Sequence, residues 1–260
     1  MIPKIIHQTW KTTNIPDEWK DAVNSCKQIN NDFTYILWTD ETMDTFVNEN
    51  YPDFYKTYKS YKYDIQRCDA FRYLVLYKYG GVYLDMDIIC KKNLNNFLHY
   101  DLVLTRSSNI ESSFTNSFYM VIPNHPFFKF CIDKLPEYTD SFQYFGKHLY
   151  VMNSTGPLFL TKMVHDYGKI PNSYFLSKKE YAGDCNACNE TKCNGGKYFT
   201  HIPGNTWHEI DSTIYNFLFC YKKIILLLFL FFIIIFLIIF YVYKSKRGLS
   251  INIRGYKKRT

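Results

Sequence analysis

Residues 1–243 carry no excess charge of either sign, and no low-complexity linker or internal repeat interrupts residues 1–220. The formal charge of +7 comes entirely from the last 17 residues, where Lys244, Lys246, Arg247, Arg254, Lys257, Lys258 and Arg259 stand without one acid. A neutral body argues against a nucleic-acid groove, so no nucleic-acid partner is expected, and it makes the basic tail a membrane-surface or topology signal. The missing linker leaves one main domain. With 47% hydrophobic positions in 260 residues, that domain is neither a disordered chain nor a small disulfide knot. The start, Met1-Ile2-Pro3-Lys4 running into His7 and Trp10, offers no apolar stretch long enough for a secretory signal.

What is present at the other end is a run without a single charge, Ile224 to Tyr243. Twenty residues at helical rise span about 30 Å, the thickness of a bilayer's hydrocarbon core. A buried core helix would show a polar stripe, and this run has none, so it reads as a transmembrane helix. Lys222 and Lys223 on one side and Lys244, Lys246 and Arg247 on the other suit the two interfaces, with Tyr241 and Tyr243 at headgroup level. The membrane side stays open. Positive-inside counting favours a lumenal body, whereas a lone C-terminal helix normally leaves the preceding domain in the cytosol. The sequons Asn153-Ser154-Thr155 and Asn189-Glu190-Thr191 lean lumenal.

Of eight cysteines, Cys185, Cys188 and Cys193 crowd into one loop-like stretch. Cys185 and Cys188 have the gap of a zinc knuckle, and Cys193 with His201 could complete four ligands, although the later gaps fit no common finger. A disulfide-stapled or variable surface loop is the other reading.

Lys4 to Trp10 reads as a first strand, Pro16 to Cys26 as a helix, Phe33 to Trp38 as a second strand and Glu41 to Glu49 as a further helix, the βαβ rhythm of a parallel sheet. Cys68, Phe71, Val75 and Tyr79 recur at helical spacing over Asp64–Tyr79, and Gly80-Gly81 supplies the left-handed stop. Val82 to Ile89 reads as a strand and its end. Leu102–Leu104, Phe118–Val121 and Tyr198–Thr200 are further strand candidates, with a helix after Pro157. The fold class is α/β.

Asp85 and Asp87 are two apart, which on a strand points both carboxylates to one side. Converging carboxylates make a hard-oxygen site for Mn²⁺ or Mg²⁺, which could hold a diphosphate. Such a triplet alone carries little information in an Asp-rich chain, so its surroundings decide.

Those surroundings are Arg67-x-Asp69-x-x-Arg72 on the helix, the Gly80-Gly81 turn, and Asp85-Met86-Asp87. The stretch resembles the sugar-nucleotide-binding region of glycosyltransferase family 32, the yeast mannosyltransferases, and more distantly the clostridial glucosylating toxins. Ile2-Pro3-Lys4-Ile5-Ile6-His7-Gln8-Thr9-Trp10, Trp38-Thr39-Asp40 and His201-Ile202-Pro203-Gly204-Asn205-Thr206-Trp207-His208 match in order. The resemblance implies a GT-A type, Rossmann-like transferase domain over 1–221, and the apolar run and the basic residues after it add a transmembrane helix over 222–243 and a basic tail over 244–260. It implies that Asp85 and Asp87 hold the metal, that Asp69 accepts from the nucleotide ribose, and that Arg72 reaches the sugar or diphosphate. It also implies that Trp10 stacks on the base, although a core aromatic is the plain alternative. Asn205, Trp207 and His208 resemble a late lid over the metal and diphosphate. Gly204-Asn205-Thr206 stands where many relatives have Ser-Ser, so Asn205 or Thr206 would take over a hydroxyl contact. Asp69 and Arg72, three apart, could also simply pair. Thr155-Gly156-Pro157 resembles a turn that offers backbone donors to the acceptor, or a plain capped turn. His7 reads as structural, and Arg67 as a supporting contact.

The resemblance thus implies a membrane-anchored, metal-dependent transferase that retains anomeric configuration. It would move a hexose, mannose from GDP-mannose first and a UDP-hexose otherwise, to a glycan or glycolipid acceptor such as inositol phosphorylceramide, in the Golgi or ER membrane. Two other classes remain: a non-catalytic membrane adaptor on the same fold, disfavoured by the joint presence of Asp69, Arg72, Asp85 and Asp87, and a nucleotide-sugar hydrolase.

Overall fold

A computed structural model describes residues 1–107, 109, 112–189, 194–202 and 207–256. The site residue Asn205 with Pro203, Gly204 and Thr206, the cysteine Cys193, the sequon residues Glu190 and Thr191, and the tail residues Lys257, Lys258 and Arg259 lie outside the described residues. The chain divides into two units, one ending at Ser212 and one beginning at Thr213.

The first unit is built on six strands in the order β2-β1-β3-β6-β5-β7: β1 (Ile5–Thr9), β2 (Thr34–Trp38), β3 (Gly81–Leu84), β5 (Leu102–Arg106), β6 (Phe114–Val121) and β7 (Ser173–Leu176). Strands β4 (Ile88–Cys90) and β8 (Phe199–His201) form a separate antiparallel pair. The parallel sheet expected from the βαβ rhythm is mixed. β1 runs parallel to β2 and β3, and β5 parallel to β7, but β6 runs antiparallel to β3 and β5. The cause is local: β5 and β6 are joined by a short hairpin connection, which only antiparallel neighbours permit. Both sheet faces are covered, so the strands are apolar on both sides. On β3 and β6 the alternation sends Val82, Leu84, Phe118 and Met120 to one core, and Tyr83, Tyr119 and Val121 to the other.

The helices are α1 (Asp17–Ile29), α2 (Asp40–Asn50), α3 (Pro52–Ser60), α4 (Asp64–Tyr79), α5 (Pro126–Tyr138), α6 (Gly146–Ser154), α7 (Pro157–Tyr167), α8 (Lys178–Tyr181) and α9 (Ile210–Tyr256). Helix α4 is central. The expected single apolar stripe is widened, because α4 packs against β3, β6, α5 and α6 and buries every residue from Asp69 to Leu76, while Tyr79 is left exposed. It ends where Gly80 takes φ 63° and donates its N–H to Leu76 O. At Gly81, with φ 99°, an added Cβ would lie 2.6 Å from Ile5 O, so the chain enters β3 beside β1 only without a side chain there. His7 holds this turn. It is fully buried, with Nε2 3.0 Å from Gly80 O and Nδ1 accepting from Trp38 Nε1–H at 3.1 Å. That pattern needs the neutral ring, and burial pushes its pKa down to about 4.

The strand expected over 82–89 is two strands. Asp85, Met86 and Asp87 form a turn between β3 and β4, closed by Ile88 N–H to Asp85 O at 3.3 Å. The cysteines also depart from the zinc reading. Cys26 on α1 is disulfide-bonded to Cys90 on β4, and Cys185, Cys188 and Cys220 are disulfide-bonded too. Oxidised sulfurs are not the thiolates that zinc requires. The Asn153 sequon is built into the fold: Asn153 donates to Leu149 O within α6, and Ser154 and Thr155 are fully buried.

The second unit is helical. Helix α9 contains a stretch, Ile210–Lys244, that is long and apolar enough to cross a membrane, with a mean hydropathy of 3.5 in its most apolar part and none of that part buried. The helix continues without a break through the boundaries expected at residues 222 and 244.

Candidate active site

A cavity of about 400 Å³ opens where the C-terminal ends of β1 and β3 meet the flank of α4. Trp10, Asp69, Arg72, Asp85, Asp87 and Trp207 all line it. His208 is not among its lining residues.

At the head of the cavity Arg72 is buried, with Nη2 3.3 Å from Asp69 and 3.1 Å from Asp85, and Nη1 donating to Asn116 O at 2.6 Å. Its guanidinium lies 4.7 Å from the centre of the Tyr83 ring, and its buried Nε has no hydrogen-bond partner among the described residues. Burial works against its charge, but Asp85 and Asp69 hold Arg72 well above its ordinary pKa. So Asp69 and Arg72 do pair, as their spacing allowed, and the pair is extended across the fold to the acidic turn.

Asp69 is more occupied than a free ribose acceptor would be. Oδ1 accepts from Asn116 Nδ2 at 2.8 Å and Oδ2 from Thr155 Oγ1 at 3.1 Å. Burial raises its pKa to about 6, against the pull of Arg72. The Thr155-Gly156-Pro157 turn spends its own amides on Val151 O and contributes this hydroxyl instead. Arg67 is not among the lining residues of the cavity and is engaged by Tyr61 O and Asp64.

Asp85 receives Tyr83 O–H at 3.0 Å besides Arg72, and its amide donates to Ser117 O at 2.9 Å. Burial pushes its pKa up to about 6; Arg72 opposes this, and the neighbouring charge of Asp87 adds to it. Two carboxylates that repel each other at the head of a half-enclosed cavity are the donor set that a hard divalent cation would relieve. Among the described residues no three carboxylate, imidazole or thiolate groups converge as a complete metal cage.

Behind the turn lies a chain of groups that the sequence did not bring together. His201 on β8, expected near the cysteine loop, has Nδ1 4.0 Å from Asp87 Oδ1. Its Nε2 is 2.5 Å from the Tyr181 hydroxyl, which is 2.5 Å from Ser117 Oγ. The β4–β8 pairing brings this about by setting Ile88 opposite His201. Asn116 and Tyr181 are new and no local pattern marks them, while Thr155 was expected only as part of its turn; all three meet α4 and the acidic turn through tertiary packing.

Trp10 is half-buried and packs edge-on against Trp19, with ring centres 4.7 Å apart and planes at 88°, in a cluster with Met86 of the acidic turn. Trp207 stacks on His148 of α6 at 5.5 Å and 15°, and His208 meets Trp207 edge-on at 4.4 Å. The strap that carries them is tied to α6, where Asp211 accepts His148 N–H at 2.7 Å and Lys147 pairs with Glu209 at 2.8 Å.

The family described as "Glycosyltransferase sugar-binding region containing DXD motif" matches residues 16–104. The chain is 38% identical over 217 residues to inositol phosphoceramide mannosyltransferase 3 of Schizosaccharomyces pombe, covering 81% of this chain and 57% of that protein. It is 36% identical over 230 residues to inositol phosphoceramide mannosyltransferase 1 of the same organism, covering 86% and 68%. The chain therefore spans less than two thirds of the first of these relatives. Among solved structures, the ligand-free glycosyltransferase domain of the YGT toxin superposes with a TM-score of 0.51 at 10% identity, over 68% of this chain and 80% of that one. At that identity the likeness is one of fold.

Proposed function

The chain belongs to the glycosyltransferases whose sugar-binding region contains a DXD motif, and on that premise we propose that it transfers mannose from a nucleotide sugar to a glycolipid of the inositol phosphorylceramide kind. The observation that carries the reading is the buried Arg72 bridging Asp69 and Asp85 at the head of a cavity that the half-buried Trp10 also lines, beside Met86 of the acidic turn. This layout suits an elongated donor. The base would lie on Trp10, the diphosphate at the acidic turn and the sugar toward Asp69 and Arg72.

Asp85 and Asp87 would hold Mn²⁺ or Mg²⁺, which supplies charge neutralisation for the departing nucleoside diphosphate. Arg72 fixes the Asp85 carboxylate and, as a lining residue of the cavity, puts its charge beside the diphosphate and sugar. Asn116 and Thr155 hold Asp69 in place beneath the sugar. A retaining reaction would proceed by front-face attack: the acceptor oxygen bonds the anomeric carbon as its bond to phosphate breaks, and the acceptor's proton passes to the departing phosphate. It requires no dedicated base.

The transferase domain, the membrane helix and the basic tail are assigned to 1–221, 222–243 and 244–260. Disulfide-bonded cysteines in the body favour an oxidising compartment, so the body is placed in the lumen of the Golgi or ER and the basic tail in the cytosol. Titration of the full chain in detergent with GDP-mannose, UDP-glucose, UDP-galactose and UDP-N-acetylglucosamine, with and without Mn²⁺, tests the donor. Metal-dependent binding with preference for GDP-mannose is expected, and metal-independent or absent binding would overturn it.

A further inference from the structure

The donor assignment leaves part of the cavity unused. Lys62, Tyr63 and Lys147 line it away from the acidic turn, and both ammonium groups approach the same ring: Lys147 Nζ lies 5.1 Å and Lys62 Nζ 5.3 Å from the centre of Tyr63. Lys62 is exposed and has no acidic partner among the described residues, whereas Lys147 is mostly buried and pairs with the exposed Glu209. Like charges held beside one aromatic ring oppose each other unless an anion joins them.

Helix α6 runs beside α4 and fixes where this ledge stands. Tyr63 meets Tyr150, Gln66 Nε2 donates to Ser154 Oγ at 2.7 Å, and Asp69 accepts from Thr155. Tyr63 stands just before the first residue of α4 and Arg72 lies nine positions further on, about 13.5 Å along the axis at helical rise. A diphosphate held at Asp85 and Asp87 does not extend that far. A sugar ring followed by the first ring of an acceptor does.

We propose that Lys62 and Lys147, both beside the Tyr63 ring, form an acceptor subsite that binds the phosphodiester of an anionic glycolipid while the ring supports the adjoining polyol. The inference rests on the transferase reading and adds to it the feature of the acceptor that this chain recognises. Neither lysine takes part in bond making, so the pair determines specificity through acceptor binding.

The test measures binding of soluble glycerophosphoinositol to the full chain in detergent, loaded with GDP and Mn²⁺, beside Lys62→Gln, Lys147→Gln and Glu209→Gln. Each lysine variant should weaken this binding by about tenfold, as for a lost charge-assisted hydrogen bond, with GDP affinity within about twofold of the parent. Glu209→Gln releases Lys147 from its pair and should tighten binding; a purely structural role for the Lys147–Glu209 contact would weaken it. Unchanged or absent glycerophosphoinositol binding overturns the subsite, and a loss of GDP affinity in the lysine variants would assign them to the donor diphosphate instead. Transfer is read separately. Binding that follows the lysines without any transfer would strike the transferase reading alone, and transfer whose acceptor KM ignores both lysines would strike the subsite alone.

Discussion

Arg72 Nη2 lies 3.1 Å from Asp85, an ion pair that ties the middle of α4 to the acidic turn between β3 and β4. The two aspartates of that turn are therefore unequal. Asp85→Asn should weaken Mn²⁺ binding and also lower stability by about 1–3 kcal/mol, because Arg72 loses a charged partner in a buried setting. Asp87→Asn should weaken Mn²⁺ binding with a smaller stability loss. Electron paramagnetic resonance of bound Mn²⁺ and urea melts on the same samples separate the effects, and equal stability losses would contradict the pairing.

Tyr181 joins His201 to Ser117 behind the same turn. Tyr181→Phe keeps the ring and removes the bridging hydroxyl, so it should weaken Mn²⁺ binding by about tenfold, the effect of losing support behind a ligand. A variant that binds Mn²⁺ like the parent would show that the chain of hydrogen bonds is structural only.

Trp10 is half-buried at the cavity and edge-on to Trp19, which leaves ring surface available to a base. Trp10→Ala should weaken nucleotide binding by about 1–3 kcal/mol, and Trp10→Phe should largely preserve it. Nucleotide titrations decide between this and a packing role, for which Trp10→Ala would leave affinity unchanged while costing about 3–5 kcal/mol of stability.

His7 gives the fold a pH dependence of known sign. Its folded pKa is lowered from 6.5 to about 4, so the folded protein binds this proton less readily than the unfolded chain. The stabilisation is complete above 6.5 and is lost as pH falls from there towards 4. At pH 5 the loss is about 2 kcal/mol relative to pH 7.5. Asp69 and Asp85, raised to about 6, act in the opposite sense, losing stability as pH rises through that value. The comparison is therefore between the parent and His7→Gln in urea melts at both pH values. The gap between the two proteins should narrow at pH 5, and a constant gap would contradict the neutral buried ring.

The parts of the site that were legible in the sequence are those set by short spacing. Asp69 and Arg72 share a helix flank because they are three apart, and Asp85 and Asp87 flank a single turn residue. Gly80-Gly81 marks the end of α4 because only glycine accepts that close approach to β1. Asn116, Thr155, Tyr181 and His201 were not legible as a group, since they come from β6, the turn before α7, α8 and β8 and meet only after the sheet has formed. The Cys26–Cys90 bridge, 64 residues apart, is equally a product of packing α1 against β4. Helices α3, α5 and α6 are not among the expected elements, although on α5 Phe127, Phe128, Cys131, Ile132 and Leu135 recur at helical spacing and are buried.

The most direct measurement is mass spectrometry of inositol phosphorylceramide after incubation with the full chain in detergent, GDP-mannose and Mn²⁺. The lipid should gain one hexose, with α linkage by glycosidase digestion, and the gain should vanish with Asp87→Asn or on chelation of the metal. GDP-mannose consumed to free mannose with the lipid unchanged would contradict the account and make the protein a nucleotide-sugar hydrolase.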